Sequence, residues 1–139
     1  MALTGRRGYA ANSYGQQALE AEILSASPHR IIQMLMEGAL EKLAFARGSI
    51  ARNDLAAKSK NISWAISIIN GLRGSLDMEK GGEIALNLSA LYDYMTRRLI
   101  EANNRNDVAT LDEVSGLLME VKGGWDAIPE EHRGAPAAG

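Results

Sequence analysis

Cysteine is absent from this chain, and histidine occurs only at His29 and His132. The first absence excludes disulfides and thiolate metal sites, and nothing in the sequence points to an oxidising compartment. The scarcity of histidine removes the Glu-x-x-His pairs on which di-iron helical bundles are built, because neither histidine follows a glutamate by three positions. His29 falls in the first turn after Pro28, where a partly exposed side chain is expected, and His132 sits in a polar tail. No nucleophile–base pair stands out among the scattered Ser, Thr and Lys residues. The sequence therefore carries no catalytic, metal or cofactor site. Charge of one sign is lacking too: 15 basic and 17 acidic residues leave a net charge of −2, too balanced for a phosphate-binding stripe, so nucleic acid is not an expected partner. Nor is there a long apolar run. Nothing approaches the ~18 residues that span a bilayer. Arg6 and Arg7 are not followed by the apolar segment of a signal peptide or twin-arginine leader. No insertion into a membrane is expected, and the chain is expected in the cytoplasm.

What is present is helical pattern. Apolar residues make up 46% of 139 residues, enough for one domain that buries about two thirds of its unfolded surface. Residues 1 to about 13 are rich in Gly, Ala, Asn and Ser and have little to bury, so they are expected to be mobile. A short amphipathic segment from Tyr14 to Leu24 carries Leu19, Ile23 and Leu24. Ser27-Pro28 then signals a helix start, serine capping a free N–H and proline tolerated where its missing N–H has no partner. Four helices are expected. The first runs from Pro28 to about Ala51, with Ile32, Leu35, Ala39, Leu43, Ala46 and Ile50 on one stripe. Asn53-Asp54 breaks it and caps the second, about Leu55 to Leu76, striped by Leu55, Ile62, Ile66, Ile69 and Leu76. The third runs from about Gly82 to Ala102 with Ile84, Leu88, Leu91, Met95 and Leu99, after a turn at Gly81-Gly82 that permits positive φ. The run from Asn103 to Asp107 closes it and caps the fourth, which repeats Leu111, Val114, Leu118, Val121 and Trp125. Loops of a few residues force consecutive helices to be antiparallel, so the fold class is all-α: an up-down four-helix bundle with a short extra N-terminal helical segment. Two prolines and little apolar content after Trp125 mark a frayed tail.

Some large apolar residues fall off these stripes. On a helical wheel Trp64 and Ile68 stand away from the core line of the second helix; Leu86, Ala90 and Tyr94 flank or oppose that of the third; Leu117 lies beside that of the fourth; Met34 and Phe45 do the same on the first. Such second faces are covered part of the time, by the Tyr14–Leu24 segment, by a second copy of the chain, or by a partner lying in a groove. Gly38 and Gly116, inside expected helices, fit either close approach by another segment or ordinary tight packing.

Three blocks in order carry a family resemblance: SASPHRIIQMLMEGAL from Ser25, LDMEKGGEIALNLSALYDYMTRRL from Leu76, and EANNRNDVATLDEVSGLL from Glu101. Over roughly Tyr14 to Trp125 the chain resembles the flagellar export chaperones of the FliS type. The resemblance implies a binding protein with no chemistry, dividing into a mobile capping segment with a short helix (1–26), a bundle (27–125) and a flexible tail (126–139). It implies that the disordered C-terminal segment of flagellin wraps into apolar grooves, here lined by Trp64, Ile68, Leu86, Ala90, Tyr94 and Leu117, which prevents premature polymerisation. It also implies delivery to a membrane protein of the flagellar type III export gate. Tyr14 matches a tyrosine used for capping and gate docking, and Tyr9 just upstream is placed with it. Arg97 and Arg98, in the family's Leu-Tyr-Asp-Tyr-Met-x-Arg-Arg-Leu pattern, either pair with carboxylates of the chain or of the partner, or face solvent. Trp64 departs from the polar residue expected there. A homodimer in the absence of client remains open, as does the alternative of a self-associating helical adaptor bundle with a different client.

Overall fold

The computed structural model describes residues 17–132, and among them all regular structure is helical. Helix α1 covers residues 17–25. It is followed by α2 (Pro28–Ala51), α3 (Leu55–Gly74), α4 (Met78–Arg105) and α5 (Val108–Asp126), then a 3-10 turn at Glu130–His132. The described residues divide into two compact units, one from Ile32–Ala127 and the other from residues 17–31 together with 128–132.

In the smaller unit the Ser27 hydroxyl accepts the backbone N–H of Arg30 at 3.1 Å, the helix cap expected ahead of Pro28. The Arg30 guanidinium pairs with Glu22 of α1 at 2.9 Å. His29 corrects the expectation of a partly exposed side chain: it is 3% exposed.

The larger unit is the bundle, and side-chain contacts fix its direction. Gly38 of α2 lies against Ile68 of α3, and Lys42 against Trp64, so positions rise on one helix as they fall on the other. Arg73 of α3 reaches Asp93 of α4 at 3.3 Å, and Lys58 reaches the Asn103 carbonyl at 2.8 Å. Tyr94 and Arg98 of α4 meet Glu113 of α5. The ring closes where Gln33 and Arg47 of α2 meet Asp126 and Asp112 of α5. Each neighbouring pair is antiparallel, which makes α2 to α5 an up-down-up-down four-helix bundle with α1 as the extra N-terminal helix.

The core is a ladder of alternating three- and four-residue steps: Met36, Ala39, Leu43 and Ala46 on α2; Ile62, Ala65, Ile69 and Leu72 on α3; Tyr92, Met95, Leu99 and Ala102 on α4; Leu111, Val114 and Leu118 on α5. Ten of these fifteen lie on the expected stripes; Met36, Ala65, Leu72, Tyr92 and Ala102 are the additions. Ile32, Leu35, Ile50, Ile66, Leu88, Leu91, Val121 and Trp125 pack against the core from its border. Leu55 and Ile84, expected inside, are 43% and 74% exposed, because each stands in the first turn of its straight helical segment, where neighbouring helices give little cover.

The junctions explain the sharp turns. Asn53 and Asn106 adopt left-handed φ of 57° and 52°, and each is followed by an aspartate that caps the next helix. Asp54 accepts the N–H of Ala57 at 3.2 Å, and Asp107 accepts that of Ala109 at 3.0 Å. Asp77 does the same for Glu79 and Lys80, so α3 stops at Gly74, short of Leu76, and α4 begins four residues before the expected Gly82. Gly82 has the positive φ expected there, at φ 53° and ψ −130°, and its kink separates a short leading turn from the straight part of α4. α4 also runs three residues past Ala102, because Asn106 alone supplies the left-handed stop.

Lys58 was not foreseen. It is 5% exposed, and its ammonium donates to the Asn103 carbonyl at 2.8 Å and to Asn106 Oδ1 at 2.5 Å. A cation is favoured at the carboxyl end of α4, where the helix leaves carbonyls unpaired. It staples the start of α3 to the α4–α5 junction. Lys58→Met keeps the stem and removes both charged hydrogen bonds; the expected loss is about 2 kcal/mol, read as a lower urea midpoint with an unchanged slope. Gly82→Ala forces a Cβ into a glycine-only conformation and is expected to cost about 1–3 kcal/mol by the same measurement. Gly71→Ala, where an added Cβ meets nothing within 4 Å, serves as the control and is expected to be neutral or stabilising.

Candidate functional site

With the core closed, the apolar residues left over define the outer surface. Two groups of them lie on seams, between α2 and α3 and between α4 and α5, on opposite sides of the ring of helices; Leu55, Met78, Ile84, Ile100 and Met119 are exposed outside these groups.

On the α2–α3 seam, Trp64 and Phe45 are each 49% exposed. The Lys42 ammonium sits 3.9 Å from the centre of the Trp64 ring and 5.3 Å from that of Phe45. Ile68 continues the seam half-buried, one turn along from Trp64. A Cβ on Gly38 would lie 3.7 Å from Ile68 Cδ1, an ordinary contact; close approach does not force this glycine, which leaves the seam open beside Ile68. Gly116 on α5 faces open space.

On the other side, Leu86, Ala90 and Tyr94 follow at four-residue steps along α4 and so form one row. Leu86 is 60% exposed. Ala90 is exposed, while Tyr94 and Leu117 are half-buried. The Tyr94 hydroxyl donates to Glu113 at 3.0 Å, and Leu117 stands one turn further along α5, so the row overlooks the α4–α5 seam. The six residues expected to line one binding surface therefore divide into two sets: Trp64 with Ile68, and Leu86, Ala90 and Tyr94 with Leu117. Tyr14 and Tyr9 lie outside the described residues.

The Tyr94 end of the α4–α5 seam is tied shut by polar contacts. The Arg98 guanidinium donates to Glu113 at 2.8 Å, pairs with Glu101, and reaches the Thr110 hydroxyl at 3.4 Å; that hydroxyl donates to the cap residue Asp107 at 2.8 Å. Arg97 pairs with Asp93 at 3.0 Å. Both arginines thus pair with carboxylates of their own chain. Hydrogen bonds from Arg98 and then Tyr94 hold the Glu113 carboxyl below the usual carboxylate range. The bond from Thr110 does the same for Asp107. The Tyr94 phenol is pushed up, first by its hydrogen bond to Glu113 and then by desolvation. Sequence reasoning missed Lys42, whose i,i+3 spacing to Phe45 was a usable signal, and had no signal for the role of Glu113. Tyr92, passed over in favour of its neighbours, is a core aromatic at 3% exposure.

Among the described residues no group of His, Asp and Glu side chains could hold a metal ion, and no helix is long and apolar enough to cross a membrane. A depressed carboxylate pKa contributes stability above its ordinary range and loses it as pH falls through the depressed value, so the seam is expected to loosen only in acid. At the other end of the scale, the phenolate absorbance of Tyr94, taken as the difference between the parent chain and Tyr94→Phe, should titrate above the ordinary tyrosine value of about 10. Glu113→Gln should bring that midpoint down.

Comparison with known proteins agrees with this architecture. The sequence profile described as "Flagellar protein FliS" matches residues 10–132. The flagellar secretion chaperone FliSB of Pseudomonas aeruginosa is 55% identical over 119 residues, covering 86% of this chain and 94% of the relative. The flagellar secretion chaperone FliS of Salmonella typhimurium is 50% identical over 117 residues, covering 84% of this chain and 87% of the relative. A solved structure described as a flagellar chaperone from bacteria shares the fold, with a TM-score of 0.70 over 85% of this chain and 99% of its own at 14% identity. Relatives of this identity and coverage, together with a profile that spans most of the sequence, show that the chain belongs to the FliS family of flagellar secretion chaperones.

Proposed function

We propose that this chain is a cytoplasmic export chaperone that binds the disordered C-terminal segment of flagellin on its outer seams, keeps flagellin from polymerising early, and delivers it to a membrane protein of the flagellar type III export gate. The observation that carries this reading is the pair of apolar seams left outside a completed core. Trp64 and Phe45 on one and Leu86 on the other are large side chains, each about half exposed or more. A monomeric domain gains nothing from such rows, and their extent fits a surface that a second chain covers. The chaperone names of the relatives agree with a binding activity, and the family is one of chaperones and not of enzymes. A disordered segment that folds on binding needs a large apolar area to offset the cost of its ordering, and two seams supply more than one.

Titration calorimetry of the full chain with a peptide covering the C-terminal segment of flagellin tests the reading. One-to-one binding with a large negative heat-capacity change is expected. Leu86→Asp, which leaves the core untouched, is expected to weaken it about tenfold, the equivalent of one leucine side chain left uncovered. If sedimentation finds a stable dimer and the calorimeter detects no heat at several temperatures, the chain is a self-associating bundle with a different client.

A further inference from the structure

We infer that the α2–α3 seam selects a carboxylate carried next to an apolar residue on the client, and that Lys42 is the group that reads it; this rests on the proposed client-binding function. Several other cations of the bundle are paired with carboxylates. Arg47 pairs with Asp112, Arg73 with Asp93, Arg98 with Glu113 and Lys122 with Asp126. Lys42 differs. Its ammonium faces two aromatic rings, at 3.9 Å from Trp64 and 5.3 Å from Phe45, and no described carboxylate pairs with it.

Ring faces attract the cation through their quadrupole but supply no conventional acceptor, so the three N–H donors of the ammonium remain available. The side chain is already half-buried and held against the rings, so a ligand does not have to order it. Selectivity follows from geometry. Any segment that covers the exposed edges of Trp64 and Phe45 also removes water from the ammonium lying against them. A wholly apolar segment would therefore bury an unpaired charge, which is strongly unfavourable. A segment with Asp or Glu beside its apolar anchor meets that charge instead, in surroundings where water screens the pair less. Ile68 and the bare Gly38 continue the seam by one turn and leave room for the anchor.

The test is a double-mutant cycle on the full chain, using the flagellin C-terminal peptide and versions of it with single Asp→Asn or Glu→Gln changes. Lys42→Met keeps the stem against the rings and removes the charge. It is expected to weaken the parent peptide about tenfold, the size of a charge-assisted hydrogen bond, and to flatten the salt dependence of binding. One peptide substitution should weaken the parent chain by a similar factor and leave Lys42→Met unaffected. Lys42→Arg should restore binding, since a guanidinium also stacks on aromatic rings. Should Lys42→Met fold poorly by circular dichroism, Lys42→Gln takes its place in the cycle. Equal binding by Lys42→Met and the parent, or no carboxylate of the peptide coupled to Lys42, overturns this inference and leaves the client reading standing. No binding of the peptide by the parent chain overturns both.

Discussion

The structure depends on one constraint: four helices must each hide a ladder of apolar residues at three- and four-residue steps, and only the other three helices are there to hide it. That ladder sets the rotation of every helix about its own axis. Once Met36, Leu43, Ile62, Ile69, Met95, Leu99 and Leu118 are turned inward, the direction in which every other side chain points is decided. The Asn-Asp junctions at residues 53–54 and 106–107 enforce it, since a left-handed asparagine followed by a capping aspartate reverses the chain in two residues. So tight a reversal leaves consecutive helices no choice but to pack side by side.

The helices and their caps were legible in the sequence because they rest on local chemistry. Ser27, Asp54 and Asp107 cap what their positions said they would. The phase of the core was less legible, for a reason the ladder makes plain. Stripes drawn mainly through the largest residues took in Leu55 and Ile84 and passed over Ala65 and Ala102, which the closed core admits. Alanine is a weak signal on a wheel, yet where helices approach closely the small residue is the one that fits. Lys58 was illegible for a different reason. A buried lysine looks like an error until the carbonyl of Asn103 and the amide oxygen of Asn106, more than forty residues away, are seen to receive it.

The candidate surface was half legible. The wheel set Trp64, Ile68, Leu86, Ala90, Tyr94 and Leu117 off the core line, because departure from a stripe is a property of one helix; Trp64, Leu86 and Ala90 are exposed, while Ile68 and Leu117 pack against the core from its border. It could not tell that they belong to two seams, because that depends on which helix stands on either side. The same limit hid the partners of Arg98 and Tyr94: Glu113 is one turn from Thr110 in sequence, but it reaches both only because α5 runs back along α4.

The two seams are unlike in chemistry, and the difference bears on how one bound segment could use both. The α4–α5 seam has its charges spent internally around Arg98, which leaves Leu86, Ala90 and Leu117 as an apolar strip beside a sealed polar stretch. The α2–α3 seam keeps an ammonium against its aromatic rings. With helices about 10 Å across, the path over the outside of the bundle from one seam to the other is about 30 Å. An extended chain covers that with about ten residues. A flexible segment is therefore long enough to contact both faces if it supplies two apolar stretches about ten residues apart, one of them with an acidic neighbour. A folded partner of fixed shape would have to enclose the bundle to do the same. On the proposed function, the placement of the seams on opposite sides thus favours a client that is unfolded where it is held, and links the rotation set by the core ladder to the kind of chain the surface can take.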